Sequence, residues 1–444
     1  MTVATVQERF RLIAIWSWGL MAFCLPFSTA LTLIFSAFGV LFGLVGFDWA
    51  SLKIVIRHPI AILCVALFAW LALSMLWSIA PRDEMIEGIS KYRKLLYVPL
   101  VAMLLVSTRV KPWFLMNFFV AGCLLVCIGS LFSSSGLASL LLGPQLPVGG
   151  WYIGGTVENY WFYMGPPERP TFGRAHIAQG AFLAMSILYF IGWLVQRSLA
   201  QDRNTNYPAL WIASVSAFLL LGYVILSLGS LTGYILGLIG AVFWLYQLYR
   251  LKRRLAVVVG LCIVIIFFSL APSLVKSTNH RLAKFGPDIS AYFESQAQTS
   301  EGLRIRFWSA GIRYAMERPI VGSGVGSFGE LYAGDLSEPE NLRQSRPQPH
   351  SEYVILLVQG GAVALALFVG CFLYVFYPSN LVDSNNEKKL KIYDRSLRVV
   401  ATSFLFGGLF NSIVWDAGEG HFIPIVFSSV MAITLLGSSK KRPN

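Results

Sequence analysis

The chain has 444 residues, 56% of them hydrophobic and only 13% charged, with a formal net charge of +13 at pH 7. A soluble chain of this length carries charge on roughly a quarter of its residues, so a soluble globular fold is excluded. The long apolar runs are continuous rather than alternating, which excludes a membrane β-barrel. The basic residues are scattered over connections on both sides, which gives no reason to expect a nucleic-acid partner.

Runs of about twenty apolar residues, each long enough to cross ~30 Å of hydrocarbon, recur throughout. They predict an all-α polytopic membrane protein of about twelve spans, at 11–28, 30–46, 58–77, 92–107, 112–132, 175–196, 208–226, 229–249, 255–271, 351–377, 397–415 and 421–437. The first run, Leu12–Phe27, follows Arg9 and Arg11 as a signal peptide would. It lacks a small-residue cleavage site and leads straight into the second run, which predicts a retained helix. Arg9/Arg11, Lys53/Arg57, Arg109/Lys111, Arg197/Arg203, Arg250–Arg254, Lys388–Arg395 and Lys440–Arg442 fall on alternate connections. By the positive-inside rule those ends, and both termini, are cytoplasmic. All six cysteines lie in or at the ends of spans, so no disulfide framework and no cysteine-based metal site is expected.

Three outer segments remain: Ser78–Lys91, Ser133–Arg174 and Ala271–His350. The chain thus divides into 1–271 (spans one to nine, with outer loops 78–91 and 133–174), a large outer loop at 272–350, and 351–444 (the last three spans and a cytoplasmic C-terminus). In the second segment Trp151, Tyr152, Tyr160, Trp161, Phe162 and Tyr163 suit the headgroup level. In the large loop Ser300–Glu317 predicts an amphipathic helix with Phe307, Ala310, Gly311 and Tyr314 on its apolar face, ended by Pro319.

The chemistry-bearing side chains gather in these outer parts. Arg304 and Arg306 lie on the predicted loop helix, and Arg169 and Arg174 lie where the second segment descends into span six. A guanidinium is permanently charged and binds phosphate oxygens through a planar fork, so these four arginines are candidates for a pyrophosphate clamp. The bland alternative is contact with lipid phosphates or helix ends. His350 follows Pro347 and Pro349, which forbid a helix before it, and an apolar span begins within three residues after it. The positive end of that helix favours a neutral, basic imidazole, whereas Glu352 acts in the opposite sense. A histidine there can also be merely interfacial, as His176, His280 and His421 are expected to be. Gly324-Val325-Gly326-Ser327-Phe328-Gly329 spells G-x-G-x-x-G without a preceding strand and is expected to be a flexible turn. Asp83, Glu84, Glu87, Asp335, Glu338 and Glu340 are expected on solvated faces, so neither a metal nor a cofactor is predicted.

Three stretches carry a resemblance: Gly302-Leu303-Arg304-Ile305-Arg306-Phe307-Trp308; Met316 to Gly324; and His350-Ser351-Glu352-Tyr353 with Gln359-Gly360-Gly361. Together they resemble the shared core of bacterial O-antigen ligases and O-antigen polymerases. In that group an arginine precedes a tryptophan by four residues, a turn of the form hPhhGhG follows, and a histidine opens a span ending in glycines. The histidine is usually followed by Asn, where this chain has Ser351. The resemblance implies a GT-C-like architecture and metal-independent glycosyl transfer at the outer face of the inner membrane. The donor would be a glycan on undecaprenyl pyrophosphate; for a ligase the acceptor would be lipid A–core. By motif, His350 would be the general base and Arg304 would hold the pyrophosphate. Arg174 would be the second pyrophosphate arginine, with Arg169 as competitor, and Arg306 has no counterpart and can simply face headgroups. A polymerase would share most of these features, although a single dominant outer loop favours a ligase. A protein O-glycosyltransferase usually has a larger portion after the histidine. A secondary transporter or lipid flippase fits twelve spans, but would place ionisable groups near the midplane, and here they cluster at span ends.

Overall fold

The computed structural model describes residues 3–135, 137–142, 150–153, 162–166, 170–199, 230–251, 281–295, 298–345, 348–376 and 385–439, with isolated positions at 222, 224, 228, 253, 254 and 257. The predicted spans at 208–226 and 255–271 and the candidate Arg169 fall wholly or mostly outside the described residues.

The first two helices, α1 (Val3–Cys24) and α2 (Thr29–Val45), form an antiparallel pair; the Ser28 hydroxyl caps α2 by accepting from Leu31 N at 3.3 Å. Gly39 lets the two approach, because the Trp18 indole fills the place a Cβ would take. A short helix, α3 (Trp49–Val55), bends away from α2 by 113°. Then comes α4 (Pro59–Leu73), with proline at its first position, where the missing N–H costs nothing, extended by a 3₁₀ turn to Leu76. The outer helix α5 (Arg82–Tyr92) carries Asp83 and Glu84 in its first turn, the end where carboxylates suit the helix dipole. It leads into α6 (Lys94–Thr108), α7 (Phe114–Ser134) and α8 (Leu137–Leu142).

The second outer segment holds strands β1 (Trp151–Ile153) and β2 (Phe162–Met164), antiparallel with Trp151 opposite Met164. This is a small departure from an all-helical chain. Trp151 and Met164 are buried against Ala138. The remaining helices are α9 (His176–Leu199), α10 (Leu231–Leu251), α11 (Arg281–Ser295), α12 (Ser300–Glu317), α13 (Ser327–Gly334), α14 (Glu340–Gln344), α15 (Glu352–Phe376), α16 (Asn385–Gly407) and α17 (Phe422–Ser439). The last of these is the centre of the bundle, packed on α6 and α16, and 83% of its apolar window is buried. At the perimeter Leu41, Ile62, Ile128 and Leu238 are more than half exposed, as side chains facing lipid would be.

Among the described residues four segments are long and apolar enough to cross a membrane: Pro59–Leu76, Phe114–Ser134, Glu352–Phe376 and Glu419–Gly437. The bent pair α2–α3 makes a fifth if counted as one span. The predicted span 397–415 is corrected. Its helix begins earlier, at Asn385, and ends at Gly407, after which the chain turns irregularly to His421. The apolar residues Ile413, Val414 and Trp415 misled the hydropathy reading because they are buried in protein, not in lipid.

The G-x-G-x-x-G segment is likewise not flexible. Gly324 and Gly326 have φ of 93° and 83°, and the turn is pinned by Val325 N to Ser74 Oγ (3.0 Å) and Ser78 Oγ to Val325 O (2.8 Å). The preceding residues enter a break in α15, where Gly361 adopts φ 65° and ψ −164°. Across that break Ala362 N donates to Pro319 O (2.8 Å), while Ser323 N and Gly324 N donate to Val358 O (2.7 Å) and Gln359 O (2.9 Å). The Trp70 indole donates to Gly360 O at 2.8 Å. The groups that the kink releases are thereby satisfied within the protein, as the bilayer requires.

Candidate active site

His350 stands two residues ahead of α15 with φ 48°, one of two non-glycine residues with positive φ among those described. Such a backbone at a polar residue is uncommon and collects at functional sites. Two contacts hold it there. On one side Trp308 Nε1 donates to Pro349 O at 2.8 Å. On the other, Ser351 O accepts from Ile355 N at 3.0 Å as the helix begins. The predicted loop helix exists with the predicted bounds. Phe307, Ala310 and Tyr314 are buried together with Phe328, Tyr332 and Val358, so α12 lies along the outer half of α15. That packing brings Arg304 into electrostatic reach of His350. Partial desolvation, and then the Arg304 charge, push the imidazole below its ordinary range, which favours its neutral form. Glu352 does not oppose this: it is fully buried and turns away, accepting from Val414 N (2.9 Å) and Trp415 N (3.3 Å).

Arg304 bonds Glu301 one turn back, at 3.0 Å and 3.3 Å, and keeps about a fifth of its side chain exposed. Arg306, two residues on and so about 200° around the helix, points elsewhere. It donates to Glu338 at 3.1 Å with 13% of its side chain exposed and covers the Tyr292 ring. Glu338 also takes Arg313 (2.9 Å) and the Tyr332 hydroxyl (3.0 Å), and Asp335 takes Arg313 and the Tyr314 hydroxyl (2.8 and 2.7 Å). Asp335 and Glu338 are therefore the polar core of the outer loop rather than a solvated face. Burial alone would raise Asp335, yet the bonds from Ser337, Tyr314 and Arg313 hold its carboxyl well below the usual range.

Arg174 ends the turn after β2. Gly173 N donates to Tyr163 O at 2.7 Å, and the Gln179 side chain bonds both backbone groups of Phe172. Arg174 lies against Gly418 and near Glu419; its Nε and Nη2 are buried without a hydrogen-bond partner. Burial lowers its pKa, with Glu419 acting the other way. The structure thus places Arg304 within electrostatic reach of His350, and Arg174 beside the 416–421 segment.

Between the two lie groups that sequence reasoning missed. Lys94 is 2% exposed and donates to Asp416 O (2.6 Å) and Trp415 O (3.4 Å), with Glu352, Asp416 and Glu419 all within electrostatic reach. Beside it opens a cavity of about 250 Å³ lined by Lys91, Arg93, Lys94, Gln348, Asp416 and His421 together with Leu33, Trp415 and Ala417. The signal was present in Lys91-Tyr92-Arg93-Lys94, three cations heading an apolar helix, and in Asp416, Glu419 and His421, hidden inside a stretch read as span ends. Among the described residues no group of His, Cys, Asp and Glu could hold a metal ion.

The fold defines a mostly helical protein with several apolar spans, in which Arg304 on α12 comes within electrostatic reach of His350 at the start of α15. Residues 216–369, which contain α12, Arg304 and His350, match the Wzy_C family, O-antigen ligase. The family indicates a glycosyltransferase-type ligase or polymerase of lipopolysaccharide biosynthesis, acting in general on lipid-linked glycan and lipid A–core. A search among curated proteins found no match.

Proposed function

We propose that the protein is an O-antigen ligase that moves a glycan from undecaprenyl pyrophosphate to a sugar hydroxyl of lipid A–core at the periplasmic face of the inner membrane. The observation that carries this reading is His350: an accessible imidazole, shifted towards its neutral form, in a constrained backbone within electrostatic reach of Arg304 and inside the matched domain. His350 takes the proton of the acceptor hydroxyl while that oxygen attacks the anomeric carbon. The bond from that carbon to the pyrophosphate oxygen breaks, and undecaprenyl pyrophosphate leaves with its charge held by Arg304 and Arg174. Direct displacement inverts the anomeric centre. A positioned base contributes typically 10²–10⁴-fold, and charge stabilisation on the leaving oxygen is the larger lever. The diphosphate is already activated, so the reaction needs neither nucleotide nor metal. The same reading places about twelve spans in a GT-C-like bundle with both termini cytoplasmic.

The test uses purified protein with undecaprenyl-pyrophosphate-linked glycan and lipid A–core, without nucleotide or added metal, and His350→Ala as control. Glycan on lipid A–core, lost in the variant, supports the ligase. Longer chains on undecaprenyl pyrophosphate mean a polymerase, and no covalent product from folded protein returns a transporter or flippase to the front.

A further inference from the structure

The wall of the cavity beside Lys94 includes two buried polar atoms without a hydrogen-bond partner, on His421 and Trp415. His421 is 0% exposed and lines it; Nδ1 donates to Ala417 O at 2.6 Å, so in the neutral ring Nε2 is an acceptor, and it has no partner. Trp415, also lining, has its indole N–H buried and unpartnered, with the Lys91 ammonium 4.3 Å from its ring. Asp416 adds a carboxyl raised to about 7 by burial, then by Glu419 and Glu352 and against Lys94, so it can accept or donate near neutral pH. The Gln348 amide completes the wall.

Buried polar atoms without partners are uncommon in native folds and ask for a water or ligand that supplies them. A phosphate would suit Lys91, Arg93 and Lys94 in the wall, but it offers essentially acceptors, so it would leave His421 Nε2 unmet and press on Asp416. A hydroxyl both donates and accepts, which suits a wall mixing acceptor-only, donor-only and two-way groups. At about 250 Å³ the space is below the roughly 300–1,000 Å³ of drug-sized pockets and fits one sugar ring rather than a chain. We propose that this cavity is a saccharide subsite, in which His421, Asp416 and Trp415 bind the hydroxyls of one sugar residue. It rests on the glycosyl-transfer reading and adds to it where one sugar sits, on the α5–α6 side of the site.

The experiment titrates full-length protein in lipid nanodiscs with delipidated core oligosaccharide, delipidated O-antigen oligosaccharide and inorganic pyrophosphate. It compares wild type with Asp416→Asn, His421→Phe and His421→Gln. One oligosaccharide should bind about tenfold more weakly to Asp416→Asn and His421→Phe, a loss the size of one good hydrogen bond. His421→Gln, which keeps an acceptor, should recover most of it, and pyrophosphate affinity should not move. The oligosaccharide that responds identifies the sugar as the acceptor's or the donor's. Saccharide affinity equal in all four proteins, or lost affinity for pyrophosphate instead, overturns the subsite. Wild type that binds sugar through these residues but forms no glycosidic bond overturns the transfer reading alone. Transfer at unchanged KM for both substrates in His421→Phe overturns the subsite alone.

Discussion

Two arginines on one helix, Arg304 and Arg306, are expected to respond oppositely to truncation. Arg306→Ala removes a charge-assisted hydrogen bond to Glu338, between side chains 13% and 5% exposed, and a guanidinium lying 5.6 Å from the Tyr292 ring. A hydrogen bond to a charged group is worth about 1.5–3 kcal/mol and an aromatic–cation contact about 0.5–1 kcal/mol. Glu338 keeps Arg313 and Tyr332, so the roughly 3–5 kcal/mol of a buried charge left alone is an upper bound. The expected loss is therefore about 2–4 kcal/mol, confined to the outer loop. Arg304→Ala removes only a partly exposed pair with Glu301 one turn away, worth about 0.3–0.5 kcal/mol. The assay pairs amide exchange over α12–α14 with transfer kinetics at varied donor. Arg306→Ala should speed exchange with donor KM little changed at low temperature, and Arg304→Ala should leave exchange alone and cut kcat/KM. An Arg306→Ala protein with wild-type exchange and a lost donor interaction would refute the assignment and return Arg306 to the clamp.

Three further outcomes follow from the geometry. Gly361→Ala places a Cβ on the Ile320 carbonyl in a backbone region that is nearly glycine-only, so thermal unfolding should show a loss of about 1–3 kcal/mol; an unshifted midpoint contradicts the kink. Because partial desolvation and Arg304 depress His350, its basic form persists to lower pH than that of a free imidazole. The acid limb of the rate profile should fall with a midpoint below about 6.5, and Arg304→Gln should move that midpoint up. Trp308→Phe deletes the bond to Pro349 O, so kcat should fall several-fold with both KM values nearly constant, and a change in KM alone would mean that Trp308 touches substrate instead.

Much of the fold was legible because a membrane makes hydropathy and span identity nearly the same thing. The helices at Thr29–Val45, Lys94–Thr108, Phe114–Ser134 and Glu352–Phe376 fall within a few residues of their predicted bounds, and Ser300–Glu317 matches its bounds. The method failed where apolar residues are buried for another reason, as at 408–415. It failed again where charges are buried: Glu338 looks solvated in sequence and Lys94 looks like one more residue at a span end, because their partners, Arg306 and the Trp415–Asp416 carbonyls, are 32 and more than 300 positions away. The pairing of Arg304 with His350 was suggested by motif, whereas the Lys94–His421 cavity depends on the meeting of α6 with the 408–421 turn, which no local pattern announces.

The turn at Pro319–Gly324 does more than fill the break in α15. Main-chain bonds from Ser323, Gly324 and Ala362 join it to the span on both sides of Gly361, so the end of α12 and the outer half of α15 share one hydrogen-bond ladder. Neither can open while the other stays closed, and their amides should exchange with a common opening free energy, as a single cooperative unit. The turn thereby couples the end of α12 to α15 on both sides of its break, so that a displacement of one is transmitted to the other.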